Sequence, residues 1–215
     1  MTFTTQRLAL RARTDDDLDD LLALWNNTQV QPMLHSHPFA PMGPKARKDI
    51  GEWLDGCVFG SIVTLCATDS ESVSSATAPA TANTITNANA TSEETQKPKD
   101  KGGAFMGFLA LSIQEPKNRD ASVHIALLPQ YWGGGYAKEA LTFLVDHAFR
   151  WLGVHRVSLV VYGSNVRAIG LYERLGFVVE GRKREALWMD NKWEDSVSMG
   201  VLRREWAAKY WEDQS

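Results

Sequence analysis

The sequence predicts a mixed α/β domain, one sheet with helices on both faces. Three observations lead there. Helix-like and strand-like segments alternate over the first part of the chain, and a run of strands then follows. A glycine triplet, Gly133 to Gly135, joins an apolar strand-like run to a long amphipathic helix-like run. The former run is almost continuously apolar, and the latter repeats apolar residues at helical spacing.

Taken in order, Arg7 to Arg13 reads as a strand, with Leu8 and Leu10 on one face. Thr14 then reads as an N-cap, with Asp15, Asp16 and Asp17 in the first helical turn. Leu18, Leu21, Leu22 and Trp25 follow at helical spacing. The stretch from Thr28 to Pro44 holds four prolines and no period, which predicts a loop. A second helix covers Pro44 to Leu54. Two buried strands follow, Ser61 to Ala67 and Ala104 to Ile113. Ala121 to Leu128 is a strand that stops at Pro129. Apolar residues at 137, 140, 141, 144, 148 and 152 mark the long helix from Tyr136 to Leu152. His155 to Tyr162 is a strand, and Asn165 to Leu175 a short helix closed by Gly176. Phe177 to Glu180, Arg184 to Met189 and Trp193 to Leu202 read as closing strands. Arg203 to Trp211 reads as a terminal helix.

The 215 residues fit one domain, expected to span 1–215 with a flexible insertion at 68–102. Within 68–92, 20 of 25 positions are Ser, Thr, Ala or Asn, too polar and small to offset the entropy of ordering. The apolar strands on either side make this an insertion within a domain rather than a linker between two. Apolar content of 44% and charged content of 23% are those of a globular protein. A net charge of −3 gives no reason to expect nucleic acid as a partner. No run approaches the roughly 18 apolar residues of a membrane span. The first residues lack the basic-then-apolar layout of a signal peptide, so a cytoplasmic location is expected. Cys57 and Cys66 sit in apolar contexts and read as buried, unpaired thiols.

A strand, a glycine turn and a helix start together suit a phosphate. The first amides of a helix are unpaired, its dipole favours an anion, and glycine removes the Cβ that would keep a ligand away. Known phosphate motifs divide at this point. A nucleotide P-loop needs Gly-Lys-Ser/Thr, but Gly135 is followed by Tyr136, Ala137 and Lys138. A dinucleotide fingerprint needs a third small residue where Lys138 stands, and an acidic residue on the next strand, which is absent.

The run from Gln130 through Gly133 and Gly135 to Ala137 fits Q/R-x-x-G-x-G/A. About 30 residues on come Asn165, Leu171-Tyr172-Glu173 and Leu175-Gly176-Phe177, then Glu180-Gly181. Together these closely resemble the GNAT superfamily, the Gcn5-related N-acetyltransferases. The Leu202 to Trp206 ending is most similar to the branch holding ribosomal-protein and spermidine acetyltransferases. The resemblance is strong over 119–206, reasonable over 5–66, and does not reach 68–102.

The resemblance implies a mostly antiparallel, twisted sheet of about seven strands, splayed at its centre to admit acetyl-CoA. It implies transfer of an acetyl group from acetyl-CoA to a small-molecule amine or a peptide N-terminus, in a monomer or homodimer. The backbone from Trp132 through Gly133, Gly134, Gly135, Tyr136 and Ala137 to Lys138, with Leu128 and Gln130 beside it, would hold the cofactor. A backbone N–H of Ala126 or Leu127 would face the carbonyl oxygen as it gains charge. Tyr172 matches the proton donor to the departing thiolate, and is otherwise a packing residue. Asn165 matches the residue that bonds the pantetheine arm or a water; it is also a natural N-cap. A catalytically weak acyl-CoA-binding regulator of the same fold is the alternative.

The base that deprotonates the incoming ammonium is less defined. His124, on the strand before the turn, has a suitable titration range, but a water chain or an outward-facing histidine are equal readings. His35 and His37 lack the neighbours a metal site needs and read as loop residues. Specificity is expected from the loop 28–43 and the late strands near Trp188 to Trp193. Glu185, Asp190 and Glu194 are available there to attract a cation, or are simply solvated.

Overall fold

The computed structural model describes residues 1–34, 40–66 and 103–211. The sequence-level expectations for His35, His37 and the insertion at 68–102 lie outside these residues. One sheet of eight strands organises the chain: β1 (Thr2–Thr4), β2 (Leu8–Arg11), β3 (Phe59–Leu65), β4 (Phe105–Ser112), β5 (Asp120–Leu127), β6 (Arg156–Tyr162), β7 (Val178–Met189) and β8 (Lys192–Leu202). Their spatial order is β1-β2-β3-β4-β5-β6-β8-β7. Every neighbouring pair is antiparallel except β5 and β6.

Among the described residues six α-helices accompany the sheet: α1 (Leu18–Trp25), α2 (Gln31–Leu34), α3 (Pro44–Asp55), α4 (Tyr136–Arg150), α5 (Val166–Leu175) and α6 (Arg203–Tyr210). Alternation along β4 shows how both faces are filled. Leu109 and Leu111 pack with Leu141, Leu144 and Val145 of α4. Phe108 and Ala110 point the other way, to Leu21, Leu24 and Trp25 of α1 and Ile50 and Leu54 of α3. Each such fully buried large side chain contributes about 1.5–3 kcal/mol. Trp206 of α6 is fully buried and closes the α4 layer.

Thr14 stands at the N-cap position as expected, yet Asp17 does the capping. Its Oδ2 accepts from the Thr14 N–H at 2.7 Å and the Thr14 hydroxyl at 2.9 Å. Arg11 donates to both Asp17 oxygens at 2.7 Å. This ties β2 to the helical entry of α1.

Three boundaries differ from the sequence reading. β1 was not expected; it adds an edge to the sheet by pairing Thr2 to Thr4 with Ala9 to Arg11. The two expected strands after Phe177 are one, β7, interrupted by register shifts between Val179 and Gly181 and between Lys183 and Leu187. In the second interruption Glu185 takes a left-handed conformation, φ 49°, and its N–H donates to Asp195. One strand gained and two merged leave the sheet with eight strands, in keeping with the expected count of about seven. The third difference is α2, inside the expected loop 28–44; Pro32 is tolerated because it lies in the first turn. Among the described residues no helix is long and apolar enough to cross a membrane. Cys57 and Cys66 form no disulfide; both are half-buried rather than buried, and burial pushes the Cys57 thiol pKa up.

Candidate active site

The parallel pair β5 and β6 stays together for only three residue pairs, Asp120–Arg156 to Ser122–Ser158. Beyond Ser122 the strands diverge. The opening is a cleft of about 1000 Å³, lined on one side by β5 from Val123 to Leu127 and on the other by Leu159, Val160 and Val161. The expected central splay is present.

The backbone register decides which β5 groups face this opening. Leu128 N–H donates to Met106 O at 2.8 Å, and Ala126 stands opposite Phe108. Alternate residues of an antiparallel strand turn their backbone groups to opposite sides. His124, Ala126 and Leu128 therefore turn theirs to β4, while Ile125 and Leu127 turn theirs to the cleft. Of the two candidates Ala126 and Leu127, Leu127 is the one whose backbone groups face the cleft. Trp132 Nε1 donates to Leu127 O at 2.8 Å on that open side, which leaves the Leu127 N–H pointing into the cleft.

The chain leaves β5 through a single 3-10 turn, Pro129–Tyr131, and reaches the glycines. Gly133 and Gly135 have φ of 86° and 80°, where a Cβ is strained. Gly135 caps α4 without any side chain. The first amide of α4 to bond back is Glu139, to Gly135 O at 3.1 Å. The amides of Tyr136, Ala137 and Lys138 have no preceding helical carbonyl to reach, and the helix dipole makes this end positive. Arg7 braces the outer side of the turn. It donates to Gly134 O at 2.9 Å, pairs with Glu139 at 2.8 Å and lies over the Tyr136 ring at 4.4 Å.

The opposite wall comes from α5. Asn165 Oδ1 accepts from Ala168 N–H at 3.1 Å, so Asn165 is the N-cap, and it also lines the cleft. Gly176 ends the helix with φ of 105°. Tyr172 is half-buried between these ends, against Phe177 with ring centroids 5.8 Å apart. Burial pushes its phenol up to about 12, because the phenolate is poorly solvated there. Arg167, which the sequence reading overlooked, lies over Trp132 at 5.7 Å and lines the cleft beside Gly133. Its signal was its place two residues after the cap, which on a helix start facing a phosphate site puts a cation within reach.

Among the expected cofactor residues, Ala126, Leu127, Trp132, Gly133 and Gly135 line the cleft. So do Tyr136, Ala137, Lys138, Asn165 and Tyr172. Three lie beside it. Leu128 packs toward α1 and α3, Gln130 is exposed on the 3-10 turn, and Gly134 faces Arg7.

His124 projects to the α3 face. Its Nε2 is 2.8 Å from Ser112 Oγ, and its ring meets the edge of Trp53 at 5.2 Å. Burial lowers its pKa below the ordinary value, so the ring is neutral at pH 7. The α1–α3 side of the cleft is apolar, with Met33, Ile50, Trp53 and Phe108 in its wall. The late-strand carboxylates are elsewhere. Glu194 pairs with Lys192 at 2.8 Å, and neither Glu185, Asp190 nor Glu194 lines the cleft. Among the described residues no cluster suited to a metal ion occurs.

The family model of the acetyltransferase (GNAT) domain matches residues 7–178. The chain belongs to the GNAT family. Among individual GNAT relatives, spermidine N(1)-acetyltransferase of Vibrio cholerae is 31% identical over 86 residues, 40% of this chain and 50% of that one. YdaF of Bacillus subtilis (strain 168), provisionally named a ribosomal N-acetyltransferase, is 29% identical over 104 residues, 48% of this chain and 57% of that one. This GNAT chain thus spans about half the length of these curated relatives. The crystal structure of the V. cholerae spermidine N-acetyltransferase with CoA and spermine superposes with a TM-score of 0.68 at 19% identity, covering 94% of this chain and 99% of that one. That likeness establishes the GNAT fold.

Proposed function

We propose that this chain moves an acetyl group from acetyl-CoA to a primary amine by direct transfer, with both substrates bound at once. One observation carries the reading: a sheet unzipped at its centre leads straight to a glycine turn whose helix amides are free. The amides of Tyr136, Ala137 and Lys138 would hold the pyrophosphate, with Arg167 adding charge beside Gly133.

The reaction forms a bond from the amine nitrogen to the thioester carbon and breaks the carbon–sulfur bond. An ammonium and a thioester become an amide, a thiol and one released proton. Leu127 N–H would bond the carbonyl oxygen as it gains charge, an effect worth about 10²–10³ in rate in comparable sites. His124, neutral at pH 7, would take the ammonium proton. Tyr172 keeps its proton across the neutral range. A phenol near 12 gives its proton up reluctantly to a thiolate, so its hydroxyl serves by bonding the sulfur as charge builds. Asn165 fixes the start of α5 and so the position of Tyr172.

The test is a thiol-release assay with acetyl-CoA across polyamines, amino acids, aminosugars and short peptides. Turnover is expected, with acetylated amine as product. Tight acetyl-CoA binding with no turnover on any amine would instead make the chain an acyl-CoA-binding regulator. Gly135→Glu places a side chain at a left-handed position and a negative charge beside the pyrophosphate. It should abolish binding, and an unchanged Kd would remove the glycine turn from the assignment.

A further inference from the structure

We infer that the acceptor is an arylalkylamine, a single amino group on an aromatic, apolar body, and not a polyamine. This rests on the N-acetyltransferase reading and specifies its second substrate. The cleft has two halves. Cations gather at the glycine end, where Lys138, Arg167 and Arg174 line it. At the other end the wall is aromatic and aliphatic.

Three rings build that wall. Trp25 stacks on Phe108 at 4.6 Å, and Trp53 meets Phe108 nearly at right angles at 5.5 Å. Trp53 also meets His124 nearly at right angles, so the candidate base sits against this aromatic group. The wall is not sealed: Trp53 is 37% exposed and Met33 42% exposed. Large apolar surface open to a cleft, with ring edges already set for edge-to-face contact, suits a substrate ring.

The charge pattern excludes the other common amine class. Among the described residues Asp49 is the one carboxylate that lines the cleft. It stands one helical turn before Trp53 on α3, so the two side chains share a face. Of the three α3 cations, Lys45, Arg47 and Lys48, two pair with other carboxylates, Arg47 with Asp19 and Lys48 with Glu52. One carboxylate and one neutral histidine lining the same cleft match one ammonium, which loses its charge during the reaction. A polyamine brings further ammonium groups that would lie uncompensated against Met33, Ile50 and Trp53, at a large desolvation cost.

The experiment measures kcat/KM at saturating acetyl-CoA for 2-phenylethylamine, tryptamine, hexylamine, spermidine and a short peptide. The arylalkylamines should exceed spermidine by about tenfold or more. Trp53→Ala should raise the KM for 2-phenylethylamine about tenfold while leaving that for acetyl-CoA within about twofold, and Trp53→Phe should restore most of the loss. Thiol release that favours spermidine or the peptide overturns this acceptor class while leaving the transfer reaction standing. Absence of thiol release with every amine tried overturns both. Equal KM values in wild type and a folded Trp53→Ala overturn the role of the aromatic wall.

Discussion

Trp132 bends back across the turn and donates its indole N–H to the carbonyl of Leu127 at 2.8 Å. The bond occupies one backbone group of the open strand edge and leaves its neighbour, the Leu127 N–H, available. Trp132→Phe keeps the ring but removes the donor. With a net hydrogen bond worth about 1 kcal/mol, acetyl-CoA affinity should fall about fivefold by calorimetry. The indole has no other donor, so an unchanged Kd would mean that the turn holds its shape without it.

His124 makes the acid side of the rate profile informative. Burial holds its pKa below 6.5, and protonation removes its capacity as a base. With an ammonium substrate, kcat/KM should be flat near neutrality and fall tenfold per unit below the His124 pKa. His124→Gln should lower the plateau and abolish this limb. A variant that retains the same acid limb would move the base elsewhere.

Tyr172→Phe should lower kcat by roughly 10²-fold and change the acetyl-CoA Kd little. The raised pKa also bears on stability. A group whose folded pKa lies above its unfolded value contributes fully below the unfolded value, near 10, and loses that contribution as pH rises toward 12. Wild type should therefore lose thermal stability across that window faster than Tyr172→Phe. Parallel melting curves for the two would contradict the burial of the phenol.

The long helix, the strand before it and the closing α5 were legible because each repeats its pattern for ten residues or so. Leu141, Leu144 and Ala148 lie on one face whatever else the chain does. β1 was not legible: Thr2, Phe3 and Thr4 are too few to show a period, and their strand exists only because β2 offers an edge. β7 read as two strands because Gly181, Arg182 and Lys183 look like a polar turn, although they pair with Ser198, Val197 and Ser196 of β8. The glycine end of the cleft was legible because glycines mark it locally. Its apolar end was not. Met33, the pair Asp49 and Trp53, and His124 come from three separate elements, and the late-strand carboxylates were an inviting substitute that the sheet order places elsewhere.

Asp17 is fully buried and receives four hydrogen bonds from Arg11 and Thr14. Burial alone would raise its pKa, but the Arg11 guanidinium and the Thr14 donors hold it below the usual range. Its contribution is present above the unfolded value, near 3.9, and is lost as pH falls through the lower folded one. Asp17→Asn strands Arg11 and should cost about 3–5 kcal/mol at pH 7. The two proteins should converge in stability in strong acid; a constant gap would rule out ionisation as the cause.

Thr64 faces Phe105 at the end of the β3–β4 ladder, so the chain leaves and returns at adjacent points. Replacing residues 67–102 with a four-residue turn shortens the connection about ninefold, worth about 2 kcal/mol of closure entropy at most. Melting temperature and turnover should be equal to or slightly above those of the full chain. Unfolding would show that these residues contribute to the core.

The three-pair ladder between β5 and β6 leaves strand edges facing inward across a gap. Bare edges are where foreign strands add and where aggregation begins. On the proposed reading those edges are also the walls of the cosubstrate site, so a bound acyl donor would shield them. At a hundred times its Kd a ligand adds about 2.7 kcal/mol to folding stability. The folding stability of the protein would then rise and fall with the local supply of acyl donor.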